Sequence, residues 1–292
     1  MPGEILQFVI AGVAVGSAYG MAALGLVMIY NVTGVINFAQ GVFPMLGGLL
    51  MVTLVKLQVP VPLALAACFA ATWIAGGLAS AVIVLPFKPH AMGPFIAALG
   101  VAIATEGIAL LVWGYDPLSY EPFSGSGAVY VLGAAVYPQA LWVIGAALVL
   151  LLATQLFFEH TFLGKAVRAC SLSQRGAQVI GVDARLMAVL AFSLSGAVCG
   201  VLGAIVTPLT SMSFTSDISY SLNAFAAAVF GGLSRPLSAF AGAIALGVVG
   251  ALCQAYLGQG YDLAATLSLM LAVLILRPEG VFHHLFARRP AA

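Results

Sequence analysis

"GVINFAQG", residues Gly34 to Gly41, decides how this chain is read. It stands at the start of an apolar run, yet it places two amides, Asn37 and Gln40, between two glycines. Hydrocarbon does not solvate an amide, and glycine weakens a helix. The surrounding chain of 292 residues is 63% hydrophobic and only 7% charged. A soluble globular domain carries about 25% charged residues. Water does not wet a surface built from this composition, so the solvent is lipid. The stretch then reads as a break inside a membrane span. Irregular backbone at that depth is tolerated only where protein buries it or where it lines a cavity.

Working outward, a helix crosses the hydrocarbon layer with roughly 20 residues. That measure marks nine spans: Ile5–Tyr30, Phe38–Val55, Pro62–Leu85, Phe95–Trp113, Ala140–Phe158, Leu186–Thr207, Leu222–Gly232, Leu237–Leu257 and Leu263–Leu276. The seventh and ninth are short, and the count drops if the second or the seventh is re-entrant. The expected fold is all-α: a polytopic transmembrane bundle of eight to nine spans with broken helices, in one domain over residues 1–292. The first run is too long for a signal-peptide core and lacks a basic region before it, so it reads as a retained span.

Lys and Arg orient the spans. Segment 159–185 holds Lys165, Arg168, Arg175 and Arg185; Lys88, Arg235 and the tail residues Arg277, Arg288 and Arg289 fall on the same side if the spans alternate. That side is the cytoplasm, which puts the N-terminus outside and the C-terminus inside. Loop 114–139 carries Asp116 and Glu121 but no basic residue, and faces out. Lys56 violates the pattern and snorkels to the interface.

Several chemistries are excluded or disfavoured. A net charge of +1 argues against a nucleic-acid partner. No GxxxxGK[ST] motif occurs, so this chain does not hydrolyse ATP by itself. His90, His160, His283 and His284 form no HExxH and lie at span edges, and Cys68, Cys170, Cys199 and Cys253 form no CxxC pair. No cofactor or metal is expected. "FSGSG", Phe123 to Gly127, resembles a nucleophile elbow only superficially, because no histidine or acid is partnered with it.

Four features remain as candidate machinery. Asn37 and Gln40, three apart on one helix face, point into the bundle, either as helix–helix glue or lining a substrate path or gate. Asn223 starts the short seventh segment, and Gly231 and Gly232 end it, as Gly34 and Gly41 flank the first break. Glu106, in "IATEGIALLVWG", is the one acid well inside a span; it reads as a protonated or hydrogen-bonded structural group, or as a polar group on the path. Segment 159–185 is an insertion with helical character. Ala166, Ala169, Cys170, Ala177 and Ile180 make an apolar strip, Lys165, Arg168 and Arg175 lie mostly opposite, Gly181 ends the helix and Asp183 is placed to cap the next span. Spacing alone leaves two readings: an interfacial lipid anchor or a docking helix for a soluble partner. Finally, "AGVAVGSAYG" opens the first span and "SLSGAVCGVLGA" the sixth, each ahead of a glycine-broken segment. That suggests two related halves in inverted orientation, a common transporter plan.

The chain resembles the permease of branched-chain (hydrophobic) amino acid ABC importers over nearly its whole length. The resemblance rests on "GLVMIYNVTGVINFAQGVFPMLGG", "FLGKAVRACSLSQRGAQVIGV", "NAFAAAVFGGLSRPLSAFAGAIALGVV" and "LRPEGVF", in that order. It implies a type II importer-like fold in the bacterial inner membrane. It also implies alternating access driven by ATP on partner ATPase subunits, a second permease subunit and a soluble substrate-binding protein. Within 159–185 it assigns ATPase coupling to Arg168, Ala169, Ala177 and Gly181, beside Lys165 and Arg175. Its members often carry His and Glu where this chain has Gln40 and Val42, Lys at Asn223, an acid near Gly250, acids at Leu172 and Ser173, and Gln at Glu106. Permeases of that kind also serve urea or short amides, which makes those a second candidate substrate class. Two functions of a different kind compete with the importer: a self-contained secondary carrier or channel, with Glu106 as its coupling group, and a membrane scaffold without transport activity.

Overall fold

The computed structural model describes residues 2–87, 92–125, 127–131, 134–233, 236–258 and 261–276. Lys88, His90, Ser126, Arg235, Arg277, His283, His284, Arg288 and Arg289 lie outside the described residues.

Apolar runs become helices because lipid offers the backbone no hydrogen bonds. Helix α1 is Pro2–Thr33, followed by a 3-10 turn, Phe38–Gly41, and then by α2, Val42–Lys56. Helices α3, Val61–Ile83, and α4, Gly93–Trp113, come next. Proline in the first turn of α3 and α4, and again at α5, Pro138–His160, costs no hydrogen bond, since those N–H groups have no intrahelical partner. The chain continues through α6, Phe162–Leu172, α7, Gln174–Val179, α8, Ala184–Thr210, α9, Ser216–Gly231, α10, Pro236–Leu257, and α11, Tyr261–Leu276.

Seven helical stretches among the described residues are long and apolar enough to cross a membrane, and Leu263–Leu276 forms a shorter apolar helix. The chain is thus a multi-pass helical protein. One expectation needs correction. The seventh segment does not begin at Leu222: α9 starts six residues earlier, at Ser216. Its polar first turn carries Asp217 and so does not read as membrane helix. Within loop 114–139, Val129–Val131 pairs antiparallel with Ala134–Val136 as strands β1 and β2.

Packing repeats itself. Helix α1 packs most extensively on α10, and α3 on α8. Matching α1, α2, α3 and α4 to α8, α9, α10 and α11 turns one pairing into the other. Helices α1 and α8 run antiparallel: Val32 clusters with Met187 and Ala191, whereas Ala14 and Ala18 cluster with Leu202 and Val206. The two halves are therefore opposed. Small residues make both crossings close. A β-carbon on Gly16 would lie 2.9 Å from the Ala243 carbonyl oxygen, and one on Gly76 would strike the Phe192 backbone. Such approach gives dense van der Waals contact where lipid supplies no hydrophobic drive. Helices α1, α2, α8 and α9 form the core, while α3, α4 and α5 expose most of their large apolar side chains.

Candidate functional site

The first break has a local cause. Thr33 Oγ1 donates to the Ile29 carbonyl at 2.8 Å and accepts from Val35 N at 3.2 Å, drawing the chain out of helical register. Gly34 then takes φ +71°, a left-handed conformation open to glycine at little cost. Asn37 restarts the helix: its Oδ1 accepts from Ala39 N at 3.1 Å and caps the 3-10 turn.

That turn is held by side chains far away in sequence. Gln40 Nε2 donates to Ser195 Oγ at 2.9 Å and to Cys199 Sγ at 3.3 Å, both near the middle of the 27-residue α8. Cys199 Sγ in turn donates to the Met21 carbonyl of α1 at 3.4 Å. From α9, Ser221 Oγ accepts from Gly41 N at 2.9 Å and donates to the Phe38 carbonyl at 2.8 Å. A β-carbon on Gly41 would collide with the Asp217 carbonyl, so the turn touches the first helical turn of α9 directly. The ring of Phe38 lies 5.3 Å from Phe95 of α4 and 5.5 Å from Phe225 of α9. Four helices therefore converge on four residues.

Asn37 and Gln40 are both fully buried. Asn37 Nδ2 and Gln40 Oε1 have no hydrogen-bond partner among the described residues, and neither does Asp217 Oδ1. Burying an unpaired polar atom is costly. A cluster holding one orphaned donor and two orphaned acceptors has capacity for a further polar group.

Glu106 lies half-buried on α4. Asn223 is placed differently from expectation. It sits well inside α9, and its Nδ2 donates back to the Ser219 carbonyl of the same helix at 2.9 Å. Gly231 approaches Ser238 and Ala239 of α10 closely, and Gly232 caps α9 at φ +104°. Sequence reasoning missed Ser195, Cys199, Asp217 and Ser221. Only Asp217 carried a signal, as an acid four residues ahead of Ser221 at the edge of an apolar run.

Segment 159–185 forms two helices, with Thr161 and Ser173 as N-caps. Ala166, Val167, Cys170 and Ala177 are buried against α8 residues and Val32 of α1. Ala169 is partly buried, and Lys165, Arg168 and Arg175 are exposed. Ile180 departs from the expected strip: it is 73% exposed, because α7 ends at Val179 and Gly181, at φ +85°, turns the chain. Gln174 Nε2 donates to the Val32 carbonyl at 2.6 Å, two residues before the break at Gly34. Asp183 caps α8 by accepting from Arg185 N at 2.8 Å. Burial and the Asp183 carboxylate push the Cys170 thiol above its ordinary value. Phe158, Glu159, Lys165, Arg168, Ala169 and Leu172 line a groove of about 480 Å³ beside α6.

Known permeases are similar to this chain along most of its length. It is 25% identical to the high-affinity branched-chain amino acid transport system permease protein LivH of Salmonella typhimurium, over 94% of each chain. It is 26% identical to the corresponding permease protein BraD of Pseudomonas aeruginosa, over 94% of this chain and 95% of that one. The ribose import permease protein RbsC of Escherichia coli is 27% identical, over 85% and 75%. The fold also matches PsaBC from Streptococcus pneumoniae, solved in complex with Fab, with a TM-score of 0.51 at 12% identity over 95% of this chain and 94% of that chain. Residues 8–277 match the model of the branched-chain amino acid transport system / permease component family, and the chain belongs to that family.

Proposed function

We propose that this chain is the membrane permease of an ATP-driven importer for branched-chain or other hydrophobic amino acids. It sits in the bacterial inner membrane with its N-terminus outside and its C-terminus in the cytoplasm. A soluble binding protein delivers the ligand from outside. A second permease subunit completes the path, and cytoplasmic ATPases drive alternating access; this chain itself is a non-catalytic part that binds no ATP. Similarity to LivH and BraD over 94% of the chain supports the substrate class.

The α6–α7 pair carries the mechanical reading. Its apolar face is buried on α8, one of the two helices that hold the 3-10 turn, and on Val32 of α1 just before the break, and its basic face is exposed. Gln174 ties α7 to Val32 at the edge of the break. A push on the exposed face is delivered to α1 next to its flexible glycine, and through α8 to Ser195, Cys199 and Gln40. Rigid helices transmit such displacements, and the glycine-broken segment absorbs them.

The test is reconstitution. Proteoliposomes holding the permease pair, the ATPases and the binding protein are expected to accumulate labelled leucine only with ATP on the ATPase side of the membrane. Unaided flux through the purified chain, or retention of urea, a short amide or ribose instead of leucine by the cognate binding protein, overturns the mechanism or the substrate class respectively.

A further inference from the structure

Helix α8 joins two ends of the molecule. Its start packs on α6 and α7 through Met187, Ala188 and Ala191. Its 27 residues rise about 40 Å, so its last turns lie far from that contact, against loop 114–139. Pro208 stands inside those last turns. Proline has no N–H, so the carbonyl four residues back, that of Ala204, receives no helical hydrogen bond. Tyr120 fills the gap: its phenol donates to the Ala204 oxygen at 2.8 Å, across 84 residues of sequence.

Neighbouring carbonyls of the same stretch are also taken by side chains. Ser119 Oγ donates to the Thr207 carbonyl at 3.2 Å, and Gln139 Nε2, from the first turn of α5, donates to that of Ile205 at 2.7 Å. Gln139 Oε1 in turn accepts from Phe123 N at 3.1 Å, which ties the loop to α5. Just past the end of α8, Leu118 and Met212 exchange both backbone hydrogen bonds. The rings of Tyr120 and Phe123 lie 5.7 Å apart and pack on an apolar cluster that includes Met51, Cys68 and Ala204. A loop that only connected α4 to α5 would leave these donors to water.

We propose that residues 118–124 are a clamp that holds this end of α8 still, with the Tyr120 phenol standing in for the N–H that Pro208 lacks. The proposal rests on the importer reading for its purpose. With the far end fixed, a displacement entering at Met187 strains α8 at its middle, where Ser195 and Cys199 hold Gln40. Helices yield most readily at proline. An unclamped α8 would pivot at Pro208 and move as one rod, leaving the 3-10 turn undisturbed. Tyr120 is thus a positioning residue, acting through α8.

A double-mutant cycle on the full chain in lipid nanodiscs tests the stand-in bond without any transport assay. Tyr120→Phe keeps the ring and removes the donor, and should lower the melting temperature by a few degrees. In the Pro208→Ala background the restored N–H meets the Ala204 carbonyl, so the same exchange should cost little. An equal loss in both backgrounds, or no loss in either, overturns the bond's role. The clamp is tested in the reconstituted complex. Tyr120→Phe should lower the leucine moved per ATP hydrolysed, and adding Pro208→Ala should restore that ratio; an unchanged ratio in Tyr120→Phe overturns the clamp. Two residues that exchange both bonds of an antiparallel bridge have Cα atoms about 5.5 Å apart, within reach of a disulfide. Oxidised Leu118→Cys/Met212→Cys should therefore cross-link and take up leucine as well as its reduced form. Failure to cross-link, or uptake lost on oxidation and regained on reduction, overturns a fixed clamp. Absence of ATP-driven uptake by the unaltered complex sinks the importer reading instead, and the melting cycle still decides the bond.

Discussion

The two chain reversals that begin the inner helices of each half occupy matching places and are built differently. The first, residues 34–41, is sealed inside the bundle and tied by Gln40, Gly41 and Phe38 to α8 and α9. The second, residues 211–215, is pinned by a loop: Leu118 and Met212 exchange backbone hydrogen bonds at 2.7 and 2.8 Å, and Ser216 Oγ accepts from Ser213 N at 2.9 Å. Both follow a left-handed residue. In the first it is Gly34 at φ +71°, and in the second it is Ser211 at φ +55°. One reversal thus depends on tertiary side-chain bonds and the other on a backbone bridge to a loop distant in sequence. A moving part fits the first description, since side-chain bonds are exchanged more readily than a backbone bridge.

The largest expected effect is at the tightest point of the first reversal. Gly41→Val drives a side chain into the Asp217 backbone, at a cost of about 3 kcal/mol or more. Extracted protein should aggregate in size-exclusion chromatography, and monodisperse protein with an unaltered melting temperature would break the contrast. Next is Gln40→Leu, which strips the bonds to Ser195 and Cys199 and should destabilise by about 1–3 kcal/mol. Thermal unfolding in detergent reads it.

A mirrored pair of exchanges sharpens the comparison. Gly34→Ser should destabilise by about 1–2 kcal/mol, because an L side chain disfavours the left-handed region. Ser211→Gly should stabilise by about 1 kcal/mol through relief of the same strain. Shifts of equal sign in the two melting temperatures would show that the reversals are not equivalent. Asn223→Ala should change stability by less than Gln40→Leu, because its bond returns to its own helix. A larger loss would give Asn223 a tertiary partner in the working state.

The smallest structural disturbance is chemical. The thiolate is the form that alkylates, and the Cys170 thiol titrates above its ordinary range. Maleimide should label Cys170 slowly at neutral pH and faster as pH rises. A cysteine introduced by Leu172→Cys, at a position 84% exposed, should react faster at every pH. Equal rates would place Cys170 on the exposed face of α6 and weaken the coupling geometry.

Much of this was open to reading from the chain alone. Composition and run length determined a lipid-embedded helical bundle, because an unwetted chain must satisfy its backbone internally. The Asn37 and Gln40 amides marked the first break, and a basic loop between apolar runs marked α6 and α7 with their buried strip. Tertiary structure decided the rest. Asp217 sits in a polar stretch that reads as a loop, and only the fold brings it against Gly41. Asn223 looked equivalent to Gln40, yet one bonds its own helix and the other bonds α8. The opposed halves were faint in letters and plain in packing, since small residues at helix crossings are specified by the room their neighbours leave. Sequence sets which groups cannot face lipid; the partners those groups find are set by contacts more than a hundred residues apart.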